Sequence, residues 1–305
     1  MHIYLPIAEL SVNWVVLLAL GVAVGFLSGM LGVSGGFITT PLLIFYGIPS
    51  GVSVASQASP VAAASLVGAI RQGGNKSVDY KMGMWLLLGG TLGSALGVYI
   101  FALLQKIGQI DFVVKVSYLI LLGTIGGLML NESIQTLRAA RAGQNVGHKP
   151  GQHTWIHNLP FKTRFYRSRL YISVIPVVVL GFLVGIMTAI LGTGGAFILI
   201  PAKVYLLRMR TNLAIGTSQF QMFIVACMTT LMHAVVDHTV DIVLAGILVL
   251  GGVIGAHFGA GAGSRLKGEE LRTVLALLII AIAIRLFIGL VLTPSDIYSL
   301  SVATQ

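Results

Sequence analysis

Charge is scarce in this chain. Of its 305 residues only 9% are Asp, Glu, Lys or Arg, against about 25% in a soluble domain. Acids are the scarcest, nine against nineteen Lys and Arg, and the formal net charge is +10. Without clustered acids there is no oxygen-ligand site for a divalent metal. The single cysteine, Cys227, excludes an intrachain disulfide and reads as a small core residue within an apolar run. No Ser/His/Asp set, GxxxxGKS/T phosphate loop or HExxH is present, so nothing points to a nucleophilic enzyme, an NTP-driven pump or a zinc protease. No Lys or Arg precedes Arg71. The start therefore lacks the basic region of a signal peptide, and Trp14 to Leu31 reads as a retained helix.

What the chain has is apolar length. Hydrophobic residues make up 56% of it, and uncharged runs of 18 or more residues recur throughout. Such runs suit helices that cross a bilayer, and they do not alternate as barrel strands would. The fold class expected is an all-α polytopic membrane protein. Ten segments are read: 12–31, 36–48, 54–70, 82–104 and 112–131, then 171–191, 195–207, 212–235, 242–263 and 271–292. Segments 36–48 and 195–207 fall short of the ~20 residues that a straight crossing requires. They read as half-helices, strongly tilted helices or re-entrant segments.

The chain repeats itself. Gly21, Val24, Gly25, Leu31, Gly32, Gly35, Phe37, Ile38 and Pro41 recur 160 residues later as Gly181, Val184, Gly185, Leu191, Gly192, Gly195, Phe197, Ile198 and Pro201. At an offset of 162, Ser56-Gln57 recurs as Ser218-Gln219 and Val78-Asp79 as Val240-Asp241. Glycine-interrupted apolar segments at matching places in two halves are the sequence mark of a transporter site. The halves are read as residues 1–131 and 171–305, joined by a basic linker over 132–170.

Basic residues sit between apolar segments, the pattern of the positive-inside rule rather than of nucleic-acid binding. If the linker is cytoplasmic, Arg71, Lys81, Arg208, Arg210 and Arg265 fall inside as well, and both termini fall outside. Lys106, with Lys115 near the boundary, departs from the pattern. Five crossings per half then require repeats of opposite orientation. His148, His153 and His157 in the linker have no Cys or acid at ligand spacing and read as solvated.

The candidate substrate-lining residues are the glycine turns, Ser34, Gly35 and Gly36 in one half and Thr193, Gly194 and Gly195 in the other. Each opens a short helix, where free N–H groups and the dipole favour an anion. The alternative is a tight turn that lets neighbours pack. Ser56 and Gln57, with Ser218 and Gln219, are polar pairs at membrane depth, either binding substrate or bonding helix to helix. Arg285 reads as a substrate charge partner or a snorkelling side chain, and Lys203 as snorkelling. His257 and His233 are candidate proton-coupling groups. Their alternatives are a backbone bond for His257 and a solvated helix end for His233 with Asp237 and His238. The Gly-xxx-Gly repeats at 21–29, 89–97 and 251–263 read as packing faces. No metal and no cofactor are called for.

The duplicated LGxxGGxxxxP and LGxGGAxxxxP segments, the Ser-Gln pairs and the VD…GGxxGxxxG stretches resemble the sulfite exporter TauE/SafE family. The resemblance implies a secondary transporter, an exporter, of a small sulfur-containing anion such as sulfite or an organosulfonate. A passive anion channel and a membrane-embedded enzyme are the alternatives. It further implies a multi-pass protein of a cell membrane, the bacterial inner membrane. The partners expected are the anionic substrate and the bilayer, with proton coupling and a homo-oligomer left open. The second copy departs from the first in carrying Ala196 where the first has Gly36.

Overall fold

The computed structural model describes residues 2–31, 35–74, 77–141, 161–165, 167–168, 170–207, 209–263 and 268–291. An antiparallel hairpin of β1 (His2–Leu5) and β2 (Leu10–Asn13) leads into α1 (Trp14–Leu31), α2 (Gly36–Phe45), α3 (Ser50–Gly74), α4 (Tyr80–Ile107) and α5 (Ile110–Arg141). A second hairpin, β3 (Lys162–Phe165) and β4 (Leu170–Ser173), leads into α6 (Val174–Leu191), α7 (Ala196–Pro201), α8 (Thr211–Met232), α9 (Ile242–Gly263) and α10 (Gly268–Val291). α7 continues as the π-helical turn Ala202–Leu206, and α8 as the π-helical turn His233–Asp237.

The helices fall on the apolar runs, and α5 continues beyond its run to Arg141. Six of them are long and apolar enough to cross a bilayer. α2, with ten residues, is about 15 Å long, half of a hydrocarbon core of about 30 Å. On α4 the exposed face is apolar: Leu88, Leu92, Leu96, Tyr99 and Leu103 recur at helical spacing, while Gly90, Gly93, Ser94 and Gly97 are buried. Large side chains outward and small ones inward is the arrangement of a helix solvated by lipid.

The chain forms two compact units, residues 1–114 with 147–268 and residues 115–146 with 269–305. In the first, α1 packs along α9, and α6 along α4. Under the internal repeat α1 corresponds to α6 and α9 to α4, so each half lends a helix to the other. Glycine makes both contacts. A Cβ on Gly255 would lie 2.1 Å from the Val22 carbonyl oxygen, and one on Gly25 2.4 Å from that of Gly252. A Cβ on Gly93 would lie 2.1 Å from the Phe182 carbonyl oxygen, and one on Gly185 2.2 Å from that of Gly90. The Gly-xxx-Gly faces are thus backbone-to-backbone contacts, where dispersion between close helices replaces a hydrophobic force that lipid does not supply.

The hairpins clamp the same exchange. Asp79 precedes α4 and accepts from Met82 N–H at 3.2 Å as its N-cap. Its other oxygen accepts from the Ser168 N–H at 3.0 Å and the Ser168 hydroxyl at 2.5 Å, in the β3–β4 turn. Asp241 precedes α9 and accepts from the Val243 and Leu244 N–H groups and, at 3.1 Å, from Ile7 N–H in the β1–β2 turn. The Asp79 N–H donates to the Thr217 hydroxyl at 3.0 Å, and the Asp241 N–H to that of Ser56 at 2.9 Å. Asp241 is held by the β1–β2 turn and a hydroxyl of the first half, and Asp79 by a hydroxyl of the second half and the hairpin turn that leads into it. Both are buried, and the caps and turn N–H groups satisfy the charge that burial would otherwise penalise.

In the second unit, Gly126 of α5 meets Ile279 and Ile280 of α10, each 2.9 Å from where a Cβ would stand.

Candidate functional site at the glycine turns

Gly35 caps α2 and lies against α1, where a Cβ would fall 2.5 Å from Val24 Cγ1. Gly195 caps α7 and lies against α6, where a Cβ would fall 2.3 Å from Val184 Cγ1. Each turn is thus tucked under the helix that precedes it. In the second turn Gly192, Gly194 and Gly195 take φ of 65°, 70° and 58°, the left-handed region where a side chain would add strain. Ser34 lies outside the described residues.

The two turns meet. A Cβ on Gly36 would lie 2.9 Å from the carbonyl oxygens of both Gly192 and Thr193. Gly192 in turn lies on α3, where its Cβ would fall 2.5 Å from the Val54 carbonyl oxygen. Beside this junction is a cavity of about 30 Å³ lined by Gly25 and Ser28 of α1, Gly35, Gly36 and Thr39 of α2, Gln57 and Pro60 of α3, and Gly252 of α9. That is room for about one water. Gln57 is 3% exposed, and its Oε1 is buried without a hydrogen-bond partner. Such a group costs about 1–3 kcal/mol. Pro60 has no N–H to give to the Ser56 carbonyl, which loses its helical partner at the same level. Polar capacity therefore concentrates on one wall of a small cavity.

The other candidates fall in several places. Ser56 is buried and receives the Asp241 N–H. Thr193 is buried and accepts from Gly195 N–H at 3.3 Å. Gln219 is buried, but its amide lies against α3 at Gly68, where a Cβ would fall 2.9 Å from Cδ. Gly68 follows Gln57 by three turns, roughly 16 Å of helix. Gln219 does not line the cavity. His257 is exposed on α9, edge-on to Phe258. Arg285 is exposed on α10, in the second unit. His148, His153 and His157 lie outside the described residues.

Two readings need correction. Lys203 does not snorkel: it is 0% exposed, and its Nζ donates to the Ser218 hydroxyl at 3.0 Å. Lys203 lies in the π-helical turn rather than on a straight helix end. His233 is not at a solvated helix end. It is 0% exposed and holds hydrogen bonds at both ring nitrogens. A larger, open cleft of about 530 Å³ at the start of α8, lined by Ser77, Arg167 and Arg210 among others, contains none of the candidates. The smaller cavity is the better candidate, because the buried side chains Gln57 and Thr39 converge there and the cleft lies open at the surface.

A family model described as "Sulfite exporter TauE/SafE" matches residues 17–286. The chain is 27% identical to a "Probable membrane transporter protein" of Xylella fastidiosa, over 88% of this chain and 93% of that one. It is 23% identical to the "Probable membrane transporter protein YunE" of Bacillus subtilis, over 90% of this chain and 97% of that one. No solved structure matches it.

Proposed function

The chain belongs to the sulfite exporter TauE/SafE family, and from that premise we propose that this multi-pass membrane transporter is a secondary exporter of a small sulfur-containing anion, seated at the junction of the two glycine turns. The observation that carries the reading is the approach of Gly36 to Gly192 and Thr193 beside the unpartnered amide oxygen of Gln57. Glycine lets a ligand reach the backbone. The opening turn of α2 offers N–H groups and the positive end of its dipole. Rotation of the Gln57 amide brings two further donors to an oxyanion. A buried lysine of the second half, Lys203, donates from Nζ to the Ser218 hydroxyl, and ionisable side chains at membrane depth are rare and mark functional positions. Its counterpart under the repeat is Leu43, so the buried lysine belongs to one half only.

A cavity of about 30 Å³ is smaller than any sulfur oxyanion. Substrate enters when the two turns separate. The sequence repeat and the exchange of helices between the halves fit two repeats of opposite orientation, and the bias of basic residues supports both termini outside and the basic linker inside. With the cell interior negative, the potential favours anion efflux by about 2.3 kcal/mol per charge per 100 mV.

The test is binding of sulfite, sulfate, thiosulfate, taurine, isethionate and sulfoacetate to purified protein, followed by flux in proteoliposomes. Saturable flux stimulated by substrate on the far side is expected. Flux that neither saturates nor counter-transports would identify a channel, and binding of none of the panel would remove the sulfur anion as substrate.

A further inference from the structure

The anion site leaves one buried ionisable pair unused. His233 and Asp237 lie on the π-helical turn that ends α8, and both side chains are 0% exposed. His233 Nδ1 stands 2.8 Å from Asp237 Oδ2, and its Nε2 stands 3.1 Å from the Ala189 carbonyl oxygen on α6. The ring meets Phe101 of α4 edge-on, centroids 4.7 Å apart. Asp237 Oδ1 is buried without a partner.

The partners dictate the proton count. A carbonyl oxygen only accepts, so Nε2 carries a hydrogen. Nδ1 then faces a carboxylate oxygen. If neither group held a proton, a nitrogen lone pair and a carboxylate lone pair would meet in a dry site. One proton must therefore lie between them, written either as imidazolium with carboxylate or as imidazole with carboxylic acid. Its loss leaves a net negative charge in the pair and turns the 2.8 Å contact from attraction to repulsion.

Among the described residues, no neighbouring charge offers a substitute. On the turn itself the other titratable group is His238, which is exposed and bonded to the Ala234 carbonyl. α6 carries no ionisable side chain, and α8 carries only Cys227. The ionisable residues of α4, which are Tyr80, Lys81, Tyr99 and Lys106, are all exposed. Nearby acids are committed elsewhere, Asp111 to the Ser50 hydroxyl and Asp241 to three N–H groups.

We propose that His233 and Asp237 form the proton-binding site of this transporter, and that the proton held between them is coupled to movement of the anion. The inference rests on the transport reading of the glycine turns. The link is short. The ring grips Ala189, and the same helix ends at Leu191 in the glycine turn that lies against Gly36. Opening the pair frees the end of α6 that carries that turn, so proton occupancy and closure of the anion site shift together.

The experiment compares full-length wild type with His233→Gln and Asp237→Asn, both of which keep a hydrogen-bonding side chain of similar shape. In proteoliposomes with the voltage clamped to zero, coupling to one proton should change anion accumulation about tenfold for about one unit of pH difference. Both variants should lose that dependence while still exchanging anion for anion. Variants that follow the pH gradient as wild type does would overturn the proposal. A second arm needs no anion. A pH step on purified wild type should give an infrared carboxyl or imidazole band that both variants lack, and identical spectra in all three proteins would also overturn it. A wild type that shows the band yet moves no sulfur anion would refute the substrate reading and leave the proton site standing.

Discussion

Gln57 and Lys203 are the side chains on which the anion reading turns. Charged hydrogen bonds are worth about 1.5–3 kcal/mol, so Gln57→Leu should weaken substrate binding about tenfold to hundredfold. The same change removes a buried oxygen that has no partner, so the melting temperature should hold or rise. A thermal-shift assay beside a binding titration separates the two effects. A parallel fall in both would mean that Gln57 serves structure alone. Lys203→Met fills similar volume without charge. Because burying the lysine amine is itself unfavourable, stability should not fall, whereas anion flux should drop by about tenfold or more. Flux at the wild-type level in Lys203→Met would reduce the lysine to a local partner of Ser218.

Packing is decided at the level of elements. Gly255→Leu sets a side chain against the Val22 carbonyl oxygen across α1 and α9, and Gly93→Leu does the same against Phe182 across α4 and α6. Both should abolish the folded peak in size-exclusion chromatography. Gly246→Leu, on α9 with nothing within 4 Å of its Cβ, should fold normally. If all three behave alike, the glycine faces do not hold the bundle. The spacing of these glycines made the packing role legible in sequence, because a small residue every fourth position lies on one helix face. The partner was not legible, since α1 meets α9 rather than a helix of its own half. The hairpins were not legible either. Their four-residue strands are too short for alternation to stand out from flanking apolar sequence.

For the molecule as a whole the open question is orientation in the bilayer. Cysteines placed at Gln144 and Ser301 in a Cys227→Ala background should react with impermeant reagent from opposite sides, Gln144 from the cytoplasm. Both positions lie outside the described residues. Reaction of both from one side would rule out repeats of opposite orientation, and with them the meeting of the turns from opposite faces.

The sequence by itself determined the membrane class, the positions of the helices, the half-length segments and the paired glycine turns. These follow from local quantities: the length of an apolar run set by bilayer thickness, and glycine where backbone must be approached closely. Only the tertiary structure decided what is buried. Lys203 and His233 look like ends of helices when read along the chain, yet each lies in a π-helical turn and is fully buried. Gln57 and Gln219 match in the repeat, but one faces a cavity and the other lies against Gly68. Burial depends on which surfaces distant segments bring together, and α1 meets α9 across more than two hundred residues of chain. No local pattern encodes that contact.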